Sequence, residues 1–242
     1  MSSNKAKSYS LYAVGEILLV VLGILIALQI NNWNEDRIKE IRAKGYAEAL
    51  LAEVEENLSL IDERRKDYLK EIDMTRRFMD QVNNSRSHLL TNDSLVLMTR
   101  YMGPVPLITL SKSTYDDLIN SGSLEMFDDA SIREKVMAMG RRFEVIDNSM
   151  ERSNRFWEYL SAYYVKHADL TSVMNRMIDR DYGHSYFELD RTAFVRNREF
   201  TNMLAMRLFR LERAERAGGR LVATLEELKA ELQGMLNYKG AG

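Results

Sequence analysis

Cysteine is absent from the 242 residues, which excludes disulfides, zinc knuckles, iron–sulfur clusters and a thiol nucleophile. Proline is nearly absent: Pro104 and Pro106 share one short stretch, so almost nothing interrupts helices elsewhere. An excess of charge is lacking too. Lysine and arginine number 34 against 36 aspartates and glutamates, a formal charge of -2, so there is no electrostatic case for nucleic acid as a partner. The three histidines, His88, His167 and His184, lie far apart and none has a histidine one helical turn away. No metal motif is written, and no Gly-x-Gly-x-x-Gly, P-loop or nucleophile elbow. The expectation is therefore a protein that is not an enzyme, with no catalytic residue, cofactor or metal to assign. At 45% hydrophobic and 29% charged residues, the chain is too apolar to be disordered, and its length allows one or two domains.

The stretch Leu11 to Glu35, LYAVGEILLVVLGILIALQINNWNE, is the most informative. From Ile17 to Leu28 every residue is apolar or glycine. That run alone fits a buried core helix or a signal-peptide core. Extended over 12–31 it reaches about 30 Å as a helix, enough for a bilayer core. Tyr9 and Tyr12 at one end and Trp33 at the other stand where an aromatic belt would place them. Bulky Gln29–Ile30–Asn31–Asn32–Trp33 offers no signal-peptidase site, so the expectation is an uncleaved anchor with one span. The rival reading is the central helix of a soluble core, but nothing else in the chain is apolar enough to surround it. A count of flanking cations (Lys5 and Lys7 against Arg37, Lys39, Arg42 and Lys44) would place the C-terminal side in the cytoplasm. Acids interleave on that second flank, and long domains translocate regardless of charge, so a cytoplasmic N-terminus is preferred.

Helical spacing collects Glu16, Val20, Gly23, Ala27, Asn31 and Asn34 on one stripe. Gly23-x-x-x-Ala27 is the small-x-x-x-small pattern that lets helices approach closely in lipid, while Leu18, Leu22 and Leu25 lie on the opposite surface. Glu16 has two readings: an intramembrane carboxylate serving an ion or proton path, or a side chain about one turn inside the boundary that reaches the headgroups. Gln29, Asn31, Asn32 and Asn34 form an amide cluster, either interfacial helix caps or the polar collar of a pore mouth.

Beyond the span, Ala47, Leu51, Val54, Leu58, Ile61, Arg65, Tyr68, Ile72, Thr75, Met79 and Val82 alternate in steps of four and three, a heptad seam on a stalk-like helix of roughly 75 Å. Arg65 in that seam is expected to pair with an acid of another helix. Glu53, Glu55 and Glu56 are read as a solvated face. A second long helix is expected from about Asp129, capped by Ser131 with Glu134 or by Asp128 or Asp129, with a seam from Ile132 to His167. A third starts near Asn197, with a kink or break at Gly218–Gly219. Between them, Ser113 with Asp116 has capping-box spacing for a short helix ended by Asn120-Ser121-Gly122-Ser123. Leu170–Arg196 includes Met174, Met177 and Ile178 at helical spacing. Leu107–Leu110 and Tyr186–Leu189 are candidate short strands.

The fold class expected is all-α: one N-terminal transmembrane helix continuing into a long helix, then an antiparallel extramembrane helical bundle. The segments are a tail (1–11), a span (12–32), a bundle (33–238, with long helices over about 33–82, 130–169 and 198–236) and a tail (239–242).

The segment YAVGEILLVVLGILIALQINNWNE, together with STYDDLINSGSLEMFDDASIREKV, resembles the two signatures of a family of uncharacterised bacterial single-pass membrane proteins, a domain of unknown function. Glu16, Gly23 and the Gln-Ile-Asn-Asn-Trp-Asn run carry the first signature; a short helix, a Ser-Gly turn and an acidic helix start carry the second. The resemblance implies an inner-membrane anchor and a helical extramembrane domain. It supplies no reaction, ligand or catalytic residue.

The function expected is a non-catalytic, membrane-anchored helical bundle acting as a homo-oligomer or as a subunit of a membrane assembly. One alternative is a homo-oligomeric ion channel lined by the Glu16/Gly23/Ala27/Asn31 face. Another is a membrane-anchored ligand sensor. The partners implied are the lipid bilayer and a second copy or another membrane protein.

Overall fold

The computed structural model describes the backbone of residues 3–84, 87–100, 102–106, 108–177, 181–183, 185–187 and 189–238, and the side chains of these except 3–15, 17, 100, 176 and 177. Helix α1 (Ser3–Asn83) runs 81 residues without a break, about 120 Å. It contains no proline, and only Gly15, Gly23 and Gly45 lower its helix propensity. Helices α2 (Asn92–Arg100) and α3 (Ser113–Asn120) follow, then the two other long helices, α4 (Ala130–His167) and α7 (Arg198–Tyr238). Short helices α5 (Leu170–Met177) and α6 (Arg191–Phe194) sit between those two. The fold is all-α. Among the described residues there is no strand, so Ile108–Leu110 and Tyr186–Phe187 do not pair as expected; Leu107 and Glu188 lie outside the described residues.

Helix α7 lies antiparallel to α1. Lys229 meets Glu55, Glu215 meets Arg65 and Glu212 meets Arg76, so one helix descends as the other rises. The same holds against α4, where Glu231 meets Ser131, Glu227 meets Lys135 and Glu199 meets Tyr159. The fourth member of the bundle is not a long helix. Residues 103–106 and 108–112 descend beside α1 in extended form and lead into α3. Pro104 and Pro106 fix φ and keep this segment out of the helical region. Its backbone groups need partners that a helix would have supplied internally. Tyr68 Oη donates to the Pro106 carbonyl at 2.8 Å. The Asn57 amide clasps Ser111 from both sides, Nδ2 donating to its carbonyl and its N–H donating to Oδ1, each at 2.8 Å. Glu53 then caps α3 from α1: its carboxylate accepts from the Thr114 N–H at 2.6 Å, the Tyr115 N–H and the Ser113 hydroxyl. Glu53 is buried, not part of a solvated face, because the start of α3 offers unpaired N–H donors and a positive dipole end. The result is an up-down-up-down bundle with one extended member.

Burial on α1 begins at Ala43, and the core forms two clusters along the bundle. Ala47, Leu50, Val54 and Ile61 pack with Val136 and Met139 of α4 and Leu221, Leu225 and Leu228 of α7. The far end is aromatic, with Phe78, Phe156, Tyr163, Phe194 and Phe200 in ring contact or close packing; Phe194 and Phe200 meet edge to face at 4.9 Å. The α1 seam is rotated slightly from the expected one. Leu50, Asn57 and Phe78 are buried, while Leu51, Leu58 and Met79 are only half-buried, because α1 faces both α7 and the extended segment. The free stalk is correspondingly short, 33–42 rather than fifty residues.

Of the capping alternatives for α4, Asp129 is the one used: it accepts from the Ser131 N–H at 2.8 Å, and Ser131 lies inside the helix with its hydroxyl on Glu231. The expected break in the last helix is corrected. Helix α7 passes through Gly218–Gly219 without a break. A Cβ at Gly218 would lie 3.3 Å from Arg65 Cγ, so the pair forms the notch in which Arg65 lies on its way to Glu215. Packing of α1 against the notch accompanies an unbroken helix where propensity alone would weaken it.

Gly140 shows the same logic on α4: an added methyl would overlap the hydroxyl and ring of Tyr115. Alanine is the better helix former by about 1 kcal/mol, but overpacking at a fixed ring costs about 1–3 kcal/mol. We expect Gly140→Ala to lower the thermal unfolding midpoint of the full-length chain, followed by circular dichroism, and Tyr115→Leu in the same chain to recover most of the loss.

Candidate functional site

From Leu18 to Arg42, every described side chain of α1 is exposed except half-buried Lys39. Ten aliphatic side chains from Leu18 to Ile30 are 45–73% exposed, and Trp33 is 64% exposed. This part of α1 is long and apolar enough to cross a membrane. It is not the buried core helix of the bundle, since none of its apolar window is covered by the chain. The aromatic residues Tyr9 and Tyr12 and the cations Lys5 and Lys7 are on α1, but their side chains lie outside the described residues.

Because α1 is one uninterrupted helix, its spacing fixes which residues share a face. Glu16, Val20, Gly23, Ala27, Asn31 and Asn34 fall within a sector of about 80° at 100° per residue. All six are exposed. Gln29 and Asn32 of the amide cluster are exposed on the opposite side of the helix, in line with Leu18, Leu22 and Leu25. Asn31 Nδ2 donates to Glu35 Oε1 at 2.8 Å, one turn on, so this amide is engaged along the helix. Among the described residues a Cβ at Gly23 would meet nothing within 4 Å, as at Gly45 and Gly234 and in contrast to Gly140 and Gly218. Past the amide cluster the same face continues through Ile38 (43% exposed), Ile41 (60% exposed), Gly45, Ala49 and Ala52, all exposed.

The other polar residues that sequence reading singled out are structural. Arg65 is half-buried on Glu215 at 2.7 Å, the interhelical pair expected of it. His167 Nδ1 lies 3.2 Å from Asp190 Oδ2 and its ring packs on Tyr163 at 4.6 Å. Asp117 accepts from Tyr46 Oη and Asp128 pairs with Lys39. His184 lies outside the described residues, as do Ile178, the side chain of Met177 and the tail 239–242. Among the described residues, no group of His, Asp or Glu is placed to hold a metal ion.

One buried ion pair escaped the sequence. Arg207 is 1% exposed; it donates to Glu71 and to the Gly103 carbonyl, fixing the start of the extended segment. Burial pushes the Glu71 carboxyl upward, against the opposing charge of Arg207, and depresses Arg207 itself. Tyr164, fully enclosed nearby, is pushed well above the usual phenol range by burial. The signal was available: Phe200, Leu204, Arg207, Leu211, Ala214, Gly218, Leu221, Leu225, Leu228 and Leu232 are a strict four-three series, and Arg207 occupies a core position within it.

The comparisons bear on the first part of this geometry. Residues 16–101 match the family model of DUF6090, a family of unknown function. The DUF6090 match begins at Glu16 and takes in the exposed apolar face, the amide cluster and all of α2. The α3 segment that resembled a second signature lies beyond it. No curated protein matches the chain, and no solved structure matches it.

Removing one member of a buried pair strands the other charge, which costs about 3–5 kcal/mol. Arg207→Ala is therefore expected to destabilise the bundle by about that much in denaturant unfolding. Glu71→Met/Arg207→Met should recover about half of it, leaving about 1–3 kcal/mol for the unpaired Gly103 carbonyl.

Proposed function

We propose that this chain is a non-catalytic, single-pass membrane protein whose N-terminal helix anchors the bundle and associates with a second copy through the Glu16–Asn34 face. The observation that carries this reading is the exposure of every residue from Leu18 to Ile30 beside a bundle whose buried core lies elsewhere. In water such a patch would drive aggregation. In a bilayer each Leu, Ile or Val contributes about 0.3–0.6 kcal/mol to insertion, so ten give roughly 3–6 kcal/mol. That sum offsets one acid placed near the end of the span, since a charge even at the centre costs about 2.5–3.5 kcal/mol.

Self-association follows from what the face holds. Gly23 weakens the helix by about 0.5–1 kcal/mol relative to alanine and has no intrachain contact in return. A close helix crossing in lipid accounts for it, with Ala27 one turn on. The exposed Ile38 and Ile41 carry the same contact into the juxtamembrane turns. The bilayer is a bacterial inner membrane with the N-terminus cytoplasmic and the bundle across it, in line with the anchor resemblance.

The cysteine-free chain permits a direct test. Single cysteines at Val20, Gly23 or Ala27 should form disulfide-linked dimers on oxidation in native membranes, while cysteines at Leu18, Leu22 or Leu25 should not. Equal cross-linking around the helix, adducts only to other proteins, or monomers throughout would overturn the self-association. An impermeant maleimide should reach a cysteine at Asn237 in intact spheroplasts; labelling only after lysis would reverse the orientation.

A further inference from the structure

Several cations of this bundle sit on an acid of a neighbouring helix, as Lys135 does on Glu227 and Arg76 on Glu212. A cluster of three arginines does not. Arg152 of α4 and Arg210 and Arg213 of α7 line a groove of about 220 Å³ between the two helices, with Ser149 and Ser153 at its floor. None of the three has a carboxylate partner among the described residues. Arg152 Nε donates to the Asn148 carbonyl and Arg210 Nη1 to the Arg152 carbonyl, both backbone groups. The Arg210 Nε is buried and has no hydrogen-bond partner among the described residues. Burial, and then the like charges of Arg152, Arg213 and Arg155, depress its hold on its proton. Three converging guanidinium groups without a counter-charge are a repulsive arrangement, and their planar forks match oxyanions in geometry.

The groove does not end at the arginines. Arg210 lies over the Phe156 ring at 4.9 Å, and Met206 and Phe156 continue into an open apolar groove of about 680 Å³ floored by Met203 and flanked by Tyr159. Met206, Phe209 and Tyr159 are 47–56% exposed along this line. A charged head beside an apolar channel of ligand size describes one class of molecule.

We propose that the α4–α7 groove binds a small amphipathic oxyanion, its phosphate or carboxylate head on Arg152, Arg210 and Arg213 and its apolar body along Phe156 and Met206. The same chemistry belongs to anionic lipid of the anchoring bilayer and to a free molecule. The geometry favours the free molecule. Arg76 and Arg65 of α1, which contact α7 at Glu212 and Glu215, lie 34–45 residues past Asn31, roughly 50–70 Å along the helix and beyond the reach of a headgroup.

Titration calorimetry tests this with the full-length chain in phosphatidylcholine nanodiscs and hexyl phosphate as the probe. Hexyl phosphate should bind saturably at one site per chain, inorganic phosphate more weakly at the same site, and hexanol and hexyltrimethylammonium not at all. Arg152→Gln/Arg213→Gln, two exposed positions, should weaken hexyl phosphate at least tenfold with an unchanged melting curve. Absence of saturable heat, equal affinity in the double variant, or binding of hexyltrimethylammonium would overturn the site. Loss of hexyl phosphate binding on changing the nanodisc to phosphatidylglycerol would overturn the free source and assign the groove to lipid.

Discussion

An aliphatic surface has to be covered, and the segment Leu18–Ile30 is not covered by its own chain. The bundle accounts for this. Its interior is filled from Ala43 onward by α1, α4, α7 and the extended segment, with residues such as Ala47, Leu50, Val54 and Val136 at zero exposure. The apolar window of α1 is left uncovered, and α1 runs on from it into the bundle without a break. The solvent of the first third of α1 must therefore come from outside the chain. On the proposed reading, the anchor, the short juxtamembrane stalk and the elevation of the bundle above the surface all follow from that one requirement.

Within the bundle, the governing constraint is polar. A bundle with an extended fourth member carries backbone groups that cannot satisfy one another, and the chain meets them with buried side chains: Asn57 on Ser111, Tyr68 on Pro106, Arg207 on Gly103 and Glu53 on the start of α3. Each bond adds only about 0.5–1.5 kcal/mol net, yet each left unmade would cost about 1–3 kcal/mol. Such contacts specify register more than they stabilise. Only one placement of the segment meets all four, which ties Pro104–Ser113 to one height along α1 and positions α4 through Tyr115 and Lys112.

Much of this was legible in the sequence. The all-α class followed from the near absence of proline and from three long four-three seams, and Arg65 in one seam pointed to its interhelical acid. What misled was treating each helix alone. Glu53 reads as a surface acid beside Glu55 and Glu56 until α3 arrives to need it. Gly218–Gly219 reads as a break until Arg65 occupies the notch. Asn57 and Arg207 stand at core spacing, three and four residues from Val54 and Ile61 or Leu204 and Leu211, but polarity hid them. The stripe on α1 was readable from spacing because a continuous helix preserves angle. The arginine groove was not, because Arg152 and Arg210 meet only when α4 and α7 pack.

The environment of α1 can be measured one residue at a time. Spin labels on single cysteines from 18 to 30, in the otherwise cysteine-free chain reconstituted in liposomes, report collision with lipid-dissolved oxygen and with a water-soluble nickel chelate. The account predicts high oxygen and low nickel accessibility at Leu18, Leu22 and Leu25, and low values of both at Gly23 and Ala27, where protein covers the helix. Nickel accessibility along the whole stretch, or oxygen accessibility as high at Gly23 and Ala27 as at Leu25, would contradict it.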